Sequence, residues 1–104
     1  AGRMLDKLLA YRMFADARGR MNRSVADVGG GVLLVSQFTL SADTRRGLRP
    51  GFANAMGPDA AQALYDYTLR ELCARHSPVA AGVFGADMQV SLTNDGPVTF
   101  MLEL

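Results

Sequence analysis

The fold of this chain is decided by one stretch, VLLVSQFTL at residues 32–40. Its first part, Val32–Val35, is a continuous run of β-branched and aliphatic side chains, which is typical of a strand buried on both faces. Polar residues follow directly. Open α/β sheets bind ligands beyond the carboxyl ends of their strands, so residues 36–40 are a candidate binding site. The alternative is that these polar side chains only satisfy a sheet edge.

The longest predicted helix lies further along the chain, over residues 58–76. Pro58 suits the first turn of a helix, and Pro78 ends it. Apolar side chains recur at helical spacing and form a stripe. The members of this stripe are Ala60, Ala63, Leu64, Tyr67, Leu69, Leu72 and Cys73.

Shorter patterns complete a mixed α/β domain. Residues 4–9 predict the end of an amphipathic helix, and Tyr11–Phe14 alternates like a short strand. Alternation also predicts strands over 84–93 and 98–104. Asp95-Gly96 between them is a hairpin signal. The order is therefore helix, strand, strand, helix, strand, strand.

Length and composition describe one globular domain over residues 1–104, because 49% of the residues are hydrophobic and 20% are charged. No apolar run approaches the roughly 20 residues that cross a membrane. A single cysteine excludes an internal disulfide and favours a reducing, cytosolic setting. The chain enters a helical pattern without an initiator Met, so we expect an upstream segment to be missing.

Charge is distributed unevenly although the net charge is only +1. Residues 1–50 carry nine Arg and Lys against four Asp, whereas residues 51–104 carry two Arg against six acidic residues. The first half therefore suits a phosphate backbone. From charge alone, arginines spread over a solvated surface are the better interpretation.

Conventional catalytic groups are scarce. The only histidine, His76, suits the C-terminal dipole of the helix better than the role of a base. A Cys73–His76 pair is conceivable, but a small core thiol fits better. Asp43, Asp87 and Asp95 are possible paired carboxylates that serve turns more simply. No spacing suits a metal ion.

Two motifs resemble the signatures of the D-aminoacyl-tRNA deacylase (D-tyrosyl-tRNA deacylase) family. They are SQFTL at residues 36–40 and NDGPVT at residues 94–99. FGADM at residues 84–88 and DTRRGLRP at residues 43–50 are also similar to that family. The resemblance extends from about Leu5 to Leu104.

The resemblance implies a fold of mixed-sheet or β-barrel-like layers with flanking helices. The single domain would lack the family's N-terminal segment, including an arginine that helps to hold the Gly-Pro loop. It also implies a cytoplasmic homodimer that hydrolyses the ester of D-aminoacyl-tRNA or glycyl-tRNA, as chirality proofreading. The active sites would lie at the dimer interface. No cofactor, metal or membrane is expected.

The same resemblance assigns the site residues. The catalytic residues would be Ser36, Gln37, Phe38 and Thr39. The residues that bind the substrate would be Asn94, Gly96, Pro97, Phe84, Ala86 and Met88. The tRNA would contact Arg45, Arg46 and Arg49. A cis Gly-Pro pair would reach into the partner's pocket and exclude L side chains by its carbonyls. Main-chain N–H groups near Ser36 would form an oxyanion hole.

Thr39 is the obvious candidate for a nucleophile, but no base accompanies it in the motif. We therefore expect Thr39 to orient the substrate while the 2′-hydroxyl of the terminal ribose assists water, since an aminoacyl ester is already activated. Two other classes of function compete with this one. A non-catalytic dimeric or RNA-binding module would keep the same fold, and a small-molecule esterase or amidase would need a triad that is absent.

Overall fold

A computed structural model describes all residues from 1 to 104. Its elements, in chain order, are α1 (Gly2–Ala10), β1 (Phe14–Ala15), β2 (Met21–Arg23), β3 (Val32–Leu34), a 3-10 turn (Phe38–Ser41), α2 (Pro58–Arg75) and β4 (Val79–Ala81). This order confirms a mixed α/β domain. None of its helices combines the length and the apolar character that a bilayer span requires.

The strands form two separate pairs. β1 and β2 are antiparallel, whereas β3 and β4 are parallel, with Val32 opposite Val79 and Leu34 opposite Ala81. Neither sheet closes on itself, so the expected barrel-like layering is not observed. The prediction that residues 32–35 form a central strand buried on both faces is wrong, because Leu33 is 60% exposed. β3 has only one neighbouring strand.

The structure confirms the long helix as α2, but most of the predicted apolar stripe is not its buried face. Gly57 is the N-cap and Pro58 begins the helix, as expected for a residue whose missing N–H is not needed there. Tyr65 and Leu72 are its buried residues, and they lie one heptad apart. Of the predicted stripe, Leu72 is buried and Leu69 is half-buried, whereas the other five members are exposed: Ala60, Ala63, Leu64, Tyr67 and Cys73.

The core is small and lies along the inner face of α2, which packs on α1 and on β4. Its buried residues are Leu5, Ser24, Val25, Tyr65 and Leu72. Arg75 of α2 crosses to Asp6 of α1 at 3.0 Å and also pairs with Glu71 at 3.3 Å. Hydrogen bonds to these two carboxylates raise the pKa of Arg75 above its usual value. The Arg75–Asp6 ion pair therefore joins the two helices, while the Arg75–Glu71 pair lies within α2.

The predicted strands over 84–93 and 98–104 are not formed. The chain from residue 82 onward contains no strand, and residues 87–104 make no backbone–backbone hydrogen bond. A segment with alternating side chains becomes a strand only when a neighbouring strand pairs with its backbone. These segments have no such neighbour here, and Leu92 is 74% and Met101 89% exposed.

Candidate active site

Two of the predicted site segments leave the same edge of a sheet. Because β3 and β4 are parallel, their carboxyl ends lie side by side. The N–H of Gly82, just after β4, donates to the carbonyl of Leu34 at 2.9 Å. Residues 36–39 and residues 84–88 therefore start from neighbouring positions, as expected for a site at the ends of parallel strands.

Tyr65 of α2 holds this end of the sheet, although its sequence pattern did not mark it as a site residue. Its hydroxyl lies 2.5 Å from the carbonyl oxygen of Gly82 and 3.2 Å from that of Leu34. Its ring lies 5.8 Å from the ring of Phe84, centroid to centroid. A single α2 side chain therefore holds the ends of both strands. Tyr65 and Leu72 are seven residues apart, which is about two helical turns, so the two side chains lie on the same face of α2.

The stretch after β3 presents a row of backbone donors. The N–H groups of Ser36, Gln37, Phe38 and Thr39 have no hydrogen-bond acceptor. The 3-10 turn begins at Phe38, and the first N–H groups of a helix have no partner within it. Four consecutive free donors at a sheet edge suit an oxygen that carries negative charge.

The side chains of this stretch contain no activated nucleophile. The Thr39 hydroxyl accepts a hydrogen bond from the Gln37 amide, and no imidazole or carboxylate contacts it. Phe38 packs against Phe52 of the following loop, with ring centroids 5.1 Å apart. Gln37 therefore positions Thr39, and Phe52 positions the 3-10 turn.

The loop over residues 94–99 is organised by Asn94. Its side-chain oxygen accepts the N–H of Val98 at 2.9 Å, and its side-chain nitrogen donates to the Thr99 hydroxyl at 3.0 Å. Both amide atoms are thus used inside the loop, so Asn94 shapes the loop itself. Gly96 has φ +138°, a conformation that side chains rarely adopt, and the Gly96–Pro97 bond is cis, as the resemblance implies.

The structure does not bring the two signature motifs together within one chain. No hydrogen bond, ion pair or aromatic contact joins residues 36–40 to residues 94–99. The Gly96–Pro97 segment is exposed. The predicted catalytic and substrate-binding residues therefore form one group at the sheet edge and a second group in the loop around Gly96.

Comparison with known proteins shows the family of the chain. The family model described as "D-Tyr-tRNA(Tyr) deacylase" matches residues 1–103. The chain belongs to this deacylase family. It is 62% identical over 104 residues to a D-aminoacyl-tRNA deacylase of Cellvibrio japonicus (strain Ueda107), covering 100% of this chain and 71% of the relative. A D-aminoacyl-tRNA deacylase of Pseudomonas putida (strain GB-1) is 60% identical, with 100% and 72% covered.

A solved structure supports the same family fold. The protein named "c-Myc DNA Unwinding Element Binding Protein" superposes with a TM-score of 0.88 at 40% identity, over 97% of this chain and 69% of that chain. The chain thus spans about 70% of the length of the family members it matches.

Of the three arginines predicted to meet the tRNA, Arg46 and Arg49 form no ion pair, whereas Arg45 pairs with Asp43. Asp43 and Gly51 form an antiparallel bridge that closes the loop between them. Both carboxylate oxygens of Asp43 accept hydrogen bonds from Arg45 at 3.0 Å, which lowers the pKa of Asp43. Arg46 and Arg49 are exposed and form no ion pair.

Cys73 and His76 do not form a catalytic pair in this deacylase-family chain. The expectation of a core thiol at Cys73 is wrong, because its side chain is exposed on the outer face of α2. His76 Nε2 lies 2.7 Å from the Gly30 carbonyl oxygen, so that nitrogen donates a hydrogen bond to it. His76 thereby connects the end of α2 to the glycines that precede β3.

Tyr65→Phe is expected to lower the free energy of unfolding by about 1–2 kcal/mol, because it leaves a strand-end carbonyl without its partner. Tyr67→Phe is the matched control, since the Tyr67 hydroxyl contacts only Glu71, at 3.3 Å and on an exposed face. Urea denaturation of both variants measures the difference. An equal loss in both would show that Tyr65 does not fix the sheet edge.

Proposed function

We propose that this chain hydrolyses the ester bond between a D-amino acid, or glycine, and tRNA. The observation that carries the proposal is the row of four free N–H groups over residues 36–39 in a member of this family. Attack of water on the ester carbonyl creates a tetrahedral oxyanion, and preorganised backbone donors stabilise that charge. The products are the free amino acid and tRNA.

No protein nucleophile is needed in this mechanism. An aminoacyl ester is already activated, so holding it in the right geometry supplies much of the acceleration. The 2′-hydroxyl of the terminal ribose assists the attacking water. Thr39, held by Gln37, orients the substrate. Phe84, Ala86 and Met88 lie along the neighbouring strand exit and form the surface for the terminal adenine.

Chirality is selected by exclusion, in a homodimer whose active sites lie at the interface. No hydrogen bond joins residues 94–99 to residues 36–40 of their own chain, and this supports a pocket in which a second copy supplies one of the two motifs. The carbonyls of the partner copy's Gly96–Pro97 loop meet the substrate α-amino group and leave no space for an L side chain. The proposed homodimer acts in the cytoplasm.

A deacylation assay tests the proposal. Wild-type protein should release amino acid from D-aminoacyl-tRNA and glycyl-tRNA faster than buffer does, and should leave L-aminoacyl-tRNA intact. Sedimentation at micromolar concentration should give a dimer. The competing non-catalytic RNA-binding module would bind tRNA without changing the rate of ester loss from any of the three substrates.

Thr39→Ala should reduce kcat/KM by no more than about tenfold, because one orienting hydrogen bond contributes about 1 kcal/mol. Loss of a nucleophile costs several powers of ten instead. Thr39→Ser, which keeps the hydroxyl beside Gln37, should stay close to wild type. A loss above about a thousandfold in Thr39→Ala, together with an acyl-enzyme trapped on the wild type, would make Thr39 the attacking group.

A further inference from the structure

The β1–β2 hairpin carries a concentration of positive charge outside the candidate site. Residues 12–23, which contain this hairpin and the two residues before it, are called the basic hairpin. They contain four arginines, all exposed: Arg12, Arg18, Arg20 and Arg23. We propose that this basic hairpin binds the phosphodiester backbone of the tRNA, away from the aminoacyl ester. The proposal rests on the proposed function and extends it to a second contact surface.

The positive charge of the basic hairpin is not cancelled by ion pairs. The ion pairs of the chain involve only Arg45 and Arg75. The one acidic residue of the hairpin, Asp16, uses its carboxylate on the turn itself. One of its oxygens accepts the backbone N–H of Arg18 at 2.8 Å and that of Arg20 at 3.0 Å, which lowers the pKa of Asp16. The guanidinium groups of Arg18 and Arg20 make no hydrogen bond.

The other two arginines are held in place by uncharged oxygens. Arg12 Nη1 donates to the Asn22 side-chain oxygen at 3.2 Å, and Arg23 Nη2 donates to the backbone carbonyl of Asp27 at 2.9 Å. Each contact occupies one of the five N–H donors of a guanidinium and leaves its charge in place. Both guanidinium groups therefore keep N–H donors for a phosphate.

An open groove of about 470 Å³ adjoins the basic hairpin, and an arginine forms part of its wall. It is lined by Ala10, Tyr11, Arg12, Met21 and Phe100. The rings of Tyr11 and Phe100 pack edge to face, with centroids 5.6 Å apart. Aromatic surface beside fixed guanidinium groups suits a sugar–phosphate chain, since the rings pack on sugar or base while the cations meet phosphate.

None of these residues belongs to the strand exits or to the Gly96 loop. The basic hairpin should therefore contribute to binding of the whole tRNA without affecting cleavage of the ester bond. This distinction separates it from the candidate active site in an experiment.

The test variant is Arg18→Glu/Arg20→Glu, because these two side chains make no hydrogen bond or ion pair within the protein. The control is Arg3→Glu/Arg70→Glu, which changes the net charge equally at two exposed helix positions. We expect kcat/KM on D-aminoacyl-tRNA to fall about tenfold or more in the test variant, with a shallower dependence on salt. The control should stay within about twofold of wild type. On D-aminoacyl-adenosine, which lacks the tRNA body, both variants should match wild type.

Binding of uncharged tRNA, measured by fluorescence anisotropy, keeps this test independent of catalysis. A tenfold weaker affinity in the test variant supports the basic hairpin even if the wild type hydrolyses nothing, which would refute the proposed function alone. The hairpin proposal is overturned by unchanged tRNA affinity, by an equal loss in the control, or by an equal loss of rate on D-aminoacyl-adenosine.

Discussion

Gly96→Ala is expected to reduce hydrolysis of D-aminoacyl-tRNA by more than about a hundredfold while the helices stay folded. A Cβ at this position would lie 2.8 Å from Val98 Cγ2 and 3.1 Å from the Val98 backbone nitrogen, and the backbone has φ +138°. The loop must therefore shift. Displacements of about 1 Å in a positioned group are sufficient for losses of this size.

The control for this variant is Gly57→Ala, because a Cβ at Gly57 meets nothing within 4 Å and its φ is negative. It should retain full activity. Circular dichroism should give near-native helix content for both variants, since Gly96 lies outside every helix and strand. Activity of Gly96→Ala within tenfold of wild type would refute the role of this loop.

The sequence does not reveal the group that a side chain at position 96 would meet. In the structure that group is Val98 of the same loop. The Val98 N–H also donates a hydrogen bond to the side-chain oxygen of Asn94. The sequence does not predict that Val98 lies beside Gly96. Local alternation places Val98 in a strand and gives no information about contacts within the loop.

Helix α2 was predictable because its limits are set locally. Pro58 lacks the N–H that a first turn does not need, and the chain leaves the helix just before Pro78. Its buried face was not predictable from apolar residues alone. Tyr65 is amphipathic, and it is buried because carbonyls of Leu34 and Gly82 receive its hydroxyl. Those partners lie 31 and 17 residues away.

The candidate site was only partly predictable for a related reason. The motif over residues 36–40 was located correctly at the end of a strand, because the change from aliphatic to polar residues is a local signal. The parallel partner β4 was missed, since Val79–Ala81 is a strand of three residues directly after a proline. Pairing of strands depends on residues distant in sequence, and the same dependence explains the strands wrongly predicted after residue 84.

Leu72→Ala is expected to destabilise the fold more than any other single truncation in α2. Leu72 is 0% exposed and is the largest fully buried side chain, in a core with few buried residues. Removing a buried leucine side chain costs about 2–5 kcal/mol, out of the roughly 5–15 kcal/mol that holds a domain together. In a chain of this length, that loss should lower Tm by about 10 °C or more.

Leu64→Ala provides the comparison, because Leu64 lies on the same helix but is 46% exposed. Both variants remove the same atoms at interior helix positions, so intrinsic helix propensity cancels between them. Thermal unfolding followed by circular dichroism should show a shift at least twice as large for Leu72→Ala. Equal shifts would mean that the packing of α1 on α2 depends chiefly on the ion pairs of Arg75. That outcome is not expected, because an exposed ion pair contributes only about 0–1 kcal/mol. A shift at least twice as large for Leu72→Ala would therefore show that burial at Leu72 contributes more to the packing of α2 than the ion pairs of Arg75 do.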